Sequence, residues 1–169
     1  MSEQQLEKLV GILRQQAPLG TQPVEASRQF MDEAGSKFAV PDDVTLQPLI
    51  IGEVDAEFID APDIDQKKVL LYFHGGGYVS GSIKSHRYLM QNLSRASGTR
   101  TLGINYRLAP EHPFPAAIED AVSCYRWLLD EGYKPANIAI GGDSAGGGLV
   151  VSTLLSLRDA GDPLPATGL

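Results

Sequence analysis

Ile138-Ala139-Ile140-Gly141-Gly142-Asp143-Ser144-Ala145-Gly146-Gly147-Gly148-Leu149-Val150-Val151 reads as a short buried strand, an abrupt glycine-rich turn and a buried helix. Within it, Gly142-Asp143-Ser144-Ala145-Gly146 fits the pattern G-x-S-x-G, in which a serine occupies a strained strand-to-helix turn that lifts its hydroxyl above the sheet. A serine held at unfavourable backbone angles draws neighbouring backbone close on both sides. Positions two before and two after it therefore tolerate little beyond a hydrogen. Five glycines between Gly141 and Gly148 would also suit a flexible loop, but a loop is not preceded by Asn-Ile-Ala-Ile and followed by Leu-Val-Val-Ser-Thr-Leu-Leu-Ser-Leu.

Outward from the turn, apolar runs alternate between the two regular periods. A helix is expected at about 115–130, a strand at Thr101–Asn105 and a helix at about 86–97. Val69-Leu-Leu-Tyr-Phe73 is a nearly unbroken apolar run, as expected of a central parallel strand covered on both faces. Val44–Ile51 and Ala56–Ile59 alternate around Gly52 and should pair antiparallel. Strand 137–141 and helix 145–160 complete a series of strand–helix–strand units, which implies right-handed crossovers and a doubly wound α/β sheet. Two amphipathic helices precede every strand. One spans 3–16, with a Ser2/Gln5 capping box and Leu6, Leu9, Val10 and Leu13 on one face; the second opens at Pro23 and stops at Gly35. Packing on the core, rather than substrate contact, is the reading for their side chains.

The chain of 169 residues is 43% hydrophobic and 21% charged, which fits one globular unit with an ordinary core. Its net charge of −7 repels nucleic acid and anionic membrane surfaces. The single cysteine, Cys124, allows no internal disulfide, and the start Met1-Ser2-Glu3-Gln4-Gln5 lacks the layout of a secretory signal, so a cytoplasmic location is expected. No apolar run approaches the roughly 20 residues that span a bilayer.

A second chemical element follows the central strand: His74-Gly75-Gly76-Gly77-Tyr78, then Val79-Ser80-Gly81-Ser82. In acyl transfer a carbonyl oxygen becomes an anion, which fixed backbone N–H groups stabilise; losing one such donor typically costs about 3 kcal/mol. Gly76 and Gly77 would supply two donors and Ala145, after the nucleophile, a third. Gly75 completes this oxyanion set as the turn residue that lets the donors face the site. A dinucleotide loop is the competing reading. It fails because Ser80 stands where the last glycine should be, no helix opens directly from the loop, and no acid ends the next strand at Asn105-Tyr106-Arg107.

Three motifs now stand in order: His74-Gly-Gly-Gly-Tyr78 with Gly81-Ser82 and Ser85-His86; Tyr106-Arg-Leu-Ala-Pro-Glu111 with Phe114-Pro-Ala-Ala117; and Gly142-Asp-Ser-Ala-Gly-Gly147. Together they resemble the hormone-sensitive-lipase-like bacterial esterases of the α/β-hydrolase fold, over about residues 44–160. The resemblance implies Ser144 as catalytic nucleophile, an oxyanion hole at Gly76, Gly77 and Ala145, and a small cap built partly from N-terminal helices, matching residues 1–43, with the core from 44 to 169. It implies hydrolysis of short-chain carboxylic esters, a small-molecule substrate, through an acyl-serine, with no metal or organic cofactor.

Among the other polar residues, His74 is expected to brace the loop, His86 to lie in the first turn of a helix, and His112 to sit in a loop. Glu111 and Arg107 read as an internal structural pair or backbone anchors, Asp143 as a brace for the turn, and Cys124 as a buried inert thiol.

One departure matters. In α/β-hydrolases the triad runs serine, acid, histidine along the chain. After Ser144 come Asp159 and Asp162 but no histidine. Both acids lie at the far end of the serine's helix, roughly 20 Å away at about 1.5 Å per residue. The chain therefore reads as the N-terminal half of an esterase whose acid and histidine lie in a C-terminal half, with Pro165–Leu169 approaching the next strand. Alone it is expected to be inactive and aggregation-prone or partly molten, unless that half is supplied or two copies pair as a homodimer through the open sheet edge. The alternative is a non-catalytic small-molecule binder on the same scaffold, as in the plant gibberellin receptor.

Overall fold

In the computed structural model, which describes residues 2–15 and 23–169, strand β3 (Asp65–Phe73) runs through the middle of a six-stranded sheet. Its second half alternates between two cores. Val69, Leu71 and Phe73 pack on one face with Ala121, Tyr125 and Leu128 of α4 (Ala116–Asp130) and with Leu149, Val150 and Leu157 of α5 (Ala145–Ala160). Leu70 and Tyr72 pack on the other with Ile83 and Met90 of α3 (Ile83–Ser97). Burial on both faces is why this strand carries an apolar run and not an alternating one.

The sheet order is β1-β2-β4-β3-β5-β6. β1 (Thr45–Ile51), β2 (Val54–Asp60) and β4 (Thr99–Ile104) pair antiparallel in turn, whereas β4, β3, β5 (Ile138–Gly142) and β6 (Thr167–Gly168) are parallel. This is the α/β-hydrolase arrangement, a mixed, mostly parallel sheet with helices on both faces. The register Phe73↔Gly142 ends β3 and β5 at the same level, so the loops after them emerge side by side.

Most expected elements occur, with instructive shifts. α3 starts at Ile83, before the expected 86, because Ser82 caps it: its Oγ accepts from Ser85 N at 3.1 Å while Ser85 Oγ accepts from Ser82 N at 2.8 Å. A serine in place of glutamate or glutamine at the third position hides this box from the usual pattern. The next strand, expected beyond Leu169, already begins at Thr167, and Leu169 N donates to Ile140 O at 3.0 Å.

The first helix, α1 (Glu3–Gln15), has its capping box, with Ser2 N to Gln5 Oε1 at 2.8 Å and Gln5 N to Ser2 Oγ at 3.3 Å. Its expected end, Gln16, and the side chains of Leu9 and Leu13 lie outside what the structure describes. The second, α2 (Val24–Ser36), runs through Gly35 instead of stopping there. That glycine serves close approach: a Cβ on it would lie 2.5 Å from the Ser85 carbonyl oxygen. Among the described residues no helix is long and apolar enough to cross a membrane.

Candidate active site

Ser144 sits between β5 and α5 at φ 51° and ψ −117°, a left-handed backbone that a non-glycine residue adopts only under constraint. The constraint is steric. A Cβ on Gly142 would stand 2.5 Å from the Gly146 carbonyl carbon, and one on Gly146 would overlap the Phe73 carbonyl. Strand end, helix start and β3 thus interlock through two hydrogens. Ser144 is exposed and makes no capping hydrogen bond, so its hydroxyl remains available at the N-terminus of α5.

The loop after β3 turns back over this elbow. The N–H groups of Val79 and Ser80 both donate to Gly76 O, at 3.2 and 3.0 Å. Gly76, Gly77 and Tyr78 all have positive φ, at 126°, 66° and 62°. Among the described residues the N–H groups of Gly76 and Gly77 find no acceptor, and neither residue is buried. Gly75, grouped with the oxyanion residues on sequence, is different: its N–H donates to Asp143 Oδ1 at 2.9 Å. It is therefore a positioning residue and has no donor to spare for a ligand.

Asp143 braces the turn by joining three elements. The same Oδ1 accepts from Tyr72 Oη at 2.8 Å, and His86 Nε2 lies 3.5 Å from it. Burial and this carboxylate hold the Tyr72 hydroxyl well above the ordinary phenol range, so it stays a donor.

His74 is buried and stacks on Tyr106, with ring centroids 4.3 Å apart, while Tyr106 Oη donates to His74 O at 2.7 Å. Its Nδ1 lies 2.8 Å from Gly75 O. A carbonyl only accepts, so Nδ1 carries the proton and the buried Nε2 lone pair is left without a partner among the described residues. Burial, with a contribution from His86, pushes this imidazole down to about 4. His74 is a neutral brace at neutral pH, as expected. His86 occupies the first turn of α3, with Nδ1 2.8 Å from Ser85 Oγ, and His112 lies in the loop before α4. Among the described residues none of the three hydrogen-bonds Ser144.

Arg107 and Glu111 do not pair with each other. Arg107 forks onto the buried Asp120 and reaches Glu119 at 3.0 Å, whereas Glu111 is gripped by Arg28 of α2 at 3.0 and 2.7 Å. Each is structural, with a partner that local sequence did not suggest. Asp159 and Asp162 pair with Arg158 and Arg126. The Cys124 thiol is fully buried and pushed up to about 12 by burial. The residue missed altogether was Arg28, which lay in a helix read as simple packing.

A family model described as alpha/beta hydrolase fold matches residues 70–169, and the chain belongs to that family. An acetyl-hydrolase of Streptomyces hygroscopicus is 45% identical over 150 residues, which is 86% of this chain and 48% of that protein. Among solved structures, an esterase from the bacterial hormone-sensitive lipase family superposes with a TM-score of 0.91 at 45% identity, covering 99% of this chain and 57% of the other. The crystal structure of EstE5 soaked by p-nitrophenyl butyrate has a TM-score of 0.91 at 47% identity, with 99% and 57% covered. The chain spans about half the length of these relatives.

Proposed function

We propose that this chain is the N-terminal half of a serine carboxylesterase that hydrolyses short-chain acyl esters. The observation that carries this is the pairing of a constrained, exposed Ser144 with the neighbouring N–H groups of Gly76 and Gly77, which have no acceptor among the described residues. Ser144 Oγ attacks the ester carbonyl carbon as a general base takes its proton. The carbonyl oxygen becomes an anion, held by the N–H groups of Gly76, Gly77 and Ala145. The tetrahedral adduct collapses to an acyl-serine, the alcohol leaves with the proton, and water then repeats the sequence to release the acid.

The general base and its orienting acid are supplied by residues beyond this chain, since His74 is committed to Gly75 and His86 to Asp143. The esterase and acetyl-hydrolase names of the relatives support ester substrates, and the p-nitrophenyl butyrate soak of EstE5 supports short acyl chains. A reducing cytoplasm suits the lone buried thiol.

In the full-length protein, a serine-directed phosphonate should label Ser144, and Ser144→Ala should lose both labelling and p-nitrophenyl butyrate turnover by orders of magnitude. Activity retained within about a factor of two would remove Ser144 from the mechanism.

A further inference from the structure

α2 buries none of its residues fully, yet one of its faces is bound to the oxyanion loop and to the start of α3 that follows it. Arg28, Met31, Asp32 and Gly35 share that face by helical spacing. Met31 Sδ lies 3.2 Å from Ser80 Oγ, whose proton goes to Gly76 O at 2.9 Å, Asp32 Oδ1 accepts from Ser82 Oγ at 2.5 Å, and Gly35 abuts the Ser85 backbone. Arg28 makes the widest connection. Its Nε donates to Val79 O at 2.8 Å, its Nη2 to Ala109 O at 3.0 Å, and its fork closes on Glu111. Val79 belongs to the loop after β3, and Ala109 and Glu111 to the loop after β4. Ala109 N in turn donates to Tyr78 O at 2.8 Å.

One planar guanidinium therefore fixes two loops against each other, which its rigid set of five donors can do and a lysine ammonium, a compact point charge, cannot. The loop has need of such a clamp. Gly76, Gly77, Tyr78 and Gly81 all stand at positive φ, and the bonds from Val79 N, Ser80 N and Ser80 Oγ within the loop all converge on Gly76 O, so that Tyr78 O and Val79 O are held from outside it, by Ala109 N and Arg28. We infer that Arg28 is a positioning residue for the oxyanion loop, acting through Val79 and Ala109 to hold the N–H groups of Gly76 and Gly77 at the angle the reaction needs. The catalytic part of this role rests on the esterase reading; the structural part does not. Glu111 is held near 2 by Arg28, so the fork stays charged throughout the working range of pH.

The test uses the full-length protein with Arg28→Met, which keeps the apolar stem, and Arg28→Lys, which keeps the charge. Arg28→Met should lower kcat for p-nitrophenyl butyrate about 10-fold or more with KM within about twofold, because a misaimed donor affects the transition state more than substrate binding. Arg28→Lys should recover little of the loss. Hydrogen exchange at residues 76–82 should accelerate while β3 and β5 keep their protection. Unchanged kcat, unchanged exchange at 76–82, full rescue by lysine, or faster exchange across the whole sheet would each overturn the assignment. If the parent protein shows no esterase activity, the esterase reading fails by itself, and exchange at 76–82 alone decides whether Arg28 holds the loop.

Discussion

At Gly146 the ordinary helix preference is reversed. Alanine is favoured over glycine inside a helix by about 1 kcal/mol, but here the added Cβ would overlap the Phe73 carbonyl and stand 2.9 Å from the His74 carbonyl oxygen. Gly146→Ala should therefore destabilise by about 2 kcal/mol or more, in the range of overpacked cores; a thermal midpoint equal to or above the parent's would contradict this. His74 gives a pH dependence of definite sign. Its folded pKa of about 4 lies below the ordinary imidazole value of 6.5, because burial disfavours the charged form, so the neutral form fits the fold. Its stability contribution is complete above about 6.5 and falls away as pH drops toward 4, by roughly 3 kcal/mol at about 1.4 kcal/mol per pH unit. His74→Phe should flatten the urea-unfolding slope between pH 7 and 4, and an unaltered slope would exclude His74 as its source. Glu111, lowered from 4.5 to about 2, loses its contribution in a separate, more acid window. Gly142 was legible in the sequence because it answers to the nearby Gly146 backbone, and Gly146 through its place in the same motif, although what Gly146 clears is the Phe73 carbonyl of β3. The donor of Gly75 was not, since its acceptor, Asp143, stands 68 positions along the chain.

Between elements, one polar link joins the end of β2 to the start of β4. Arg100 and Asp60 are both nearly buried, 2.8 Å apart, with the guanidinium carbon 3.7 Å above the Phe58 ring and Nη1 3.0 Å from Tyr133 Oη. Asp60→Ala strands a buried cation and should cost about 3 kcal/mol, read by chemical denaturation. A loss under 1 kcal/mol would mean that water reaches Arg100. The same logic at lower stakes applies to Ser82, whose replacement by alanine removes an N-cap worth about 1 kcal/mol. Strands and helices were readable wherever an apolar run set the period, as in β3 and α5. The docking of α2 was not, because Arg28 and Asp32 fall outside the apolar pattern of the helix and their partners lie in or beside loops that have no period to betray them.

Taken whole, the molecule leaves one side of its sheet thinly covered. Among the described residues β5 is met on its outer edge only by Ala166, by the two residues of β6 and by Leu169, and α5, apolar around most of its circumference, leaves Val151 57% and Leu155 45% exposed. A helix apolar all round belongs in an interior. On the proposed esterase reading, residues 1–169 expressed alone should hydrolyse no p-nitrophenyl butyrate and should self-associate, and adding the proposed C-terminal half should restore both activity and a defined mass. A monodisperse, active monomer, by light scattering and assay, would refute this. The core shared by α4 and α5 gives a way to watch the outcome. Cys124 is the chain's one thiol, wholly enclosed on the inward face of α4 and unwilling to ionise. A thiol reagent can reach it only in molecules that have come apart, so its modification rate is a stopwatch for opening, already wired into the protein and needing no engineered probe. Time-resolved labelling should run slowly in the reassembled protein and fast in the fragment, and equal rates would mean that the second half adds nothing to the cohesion of the first.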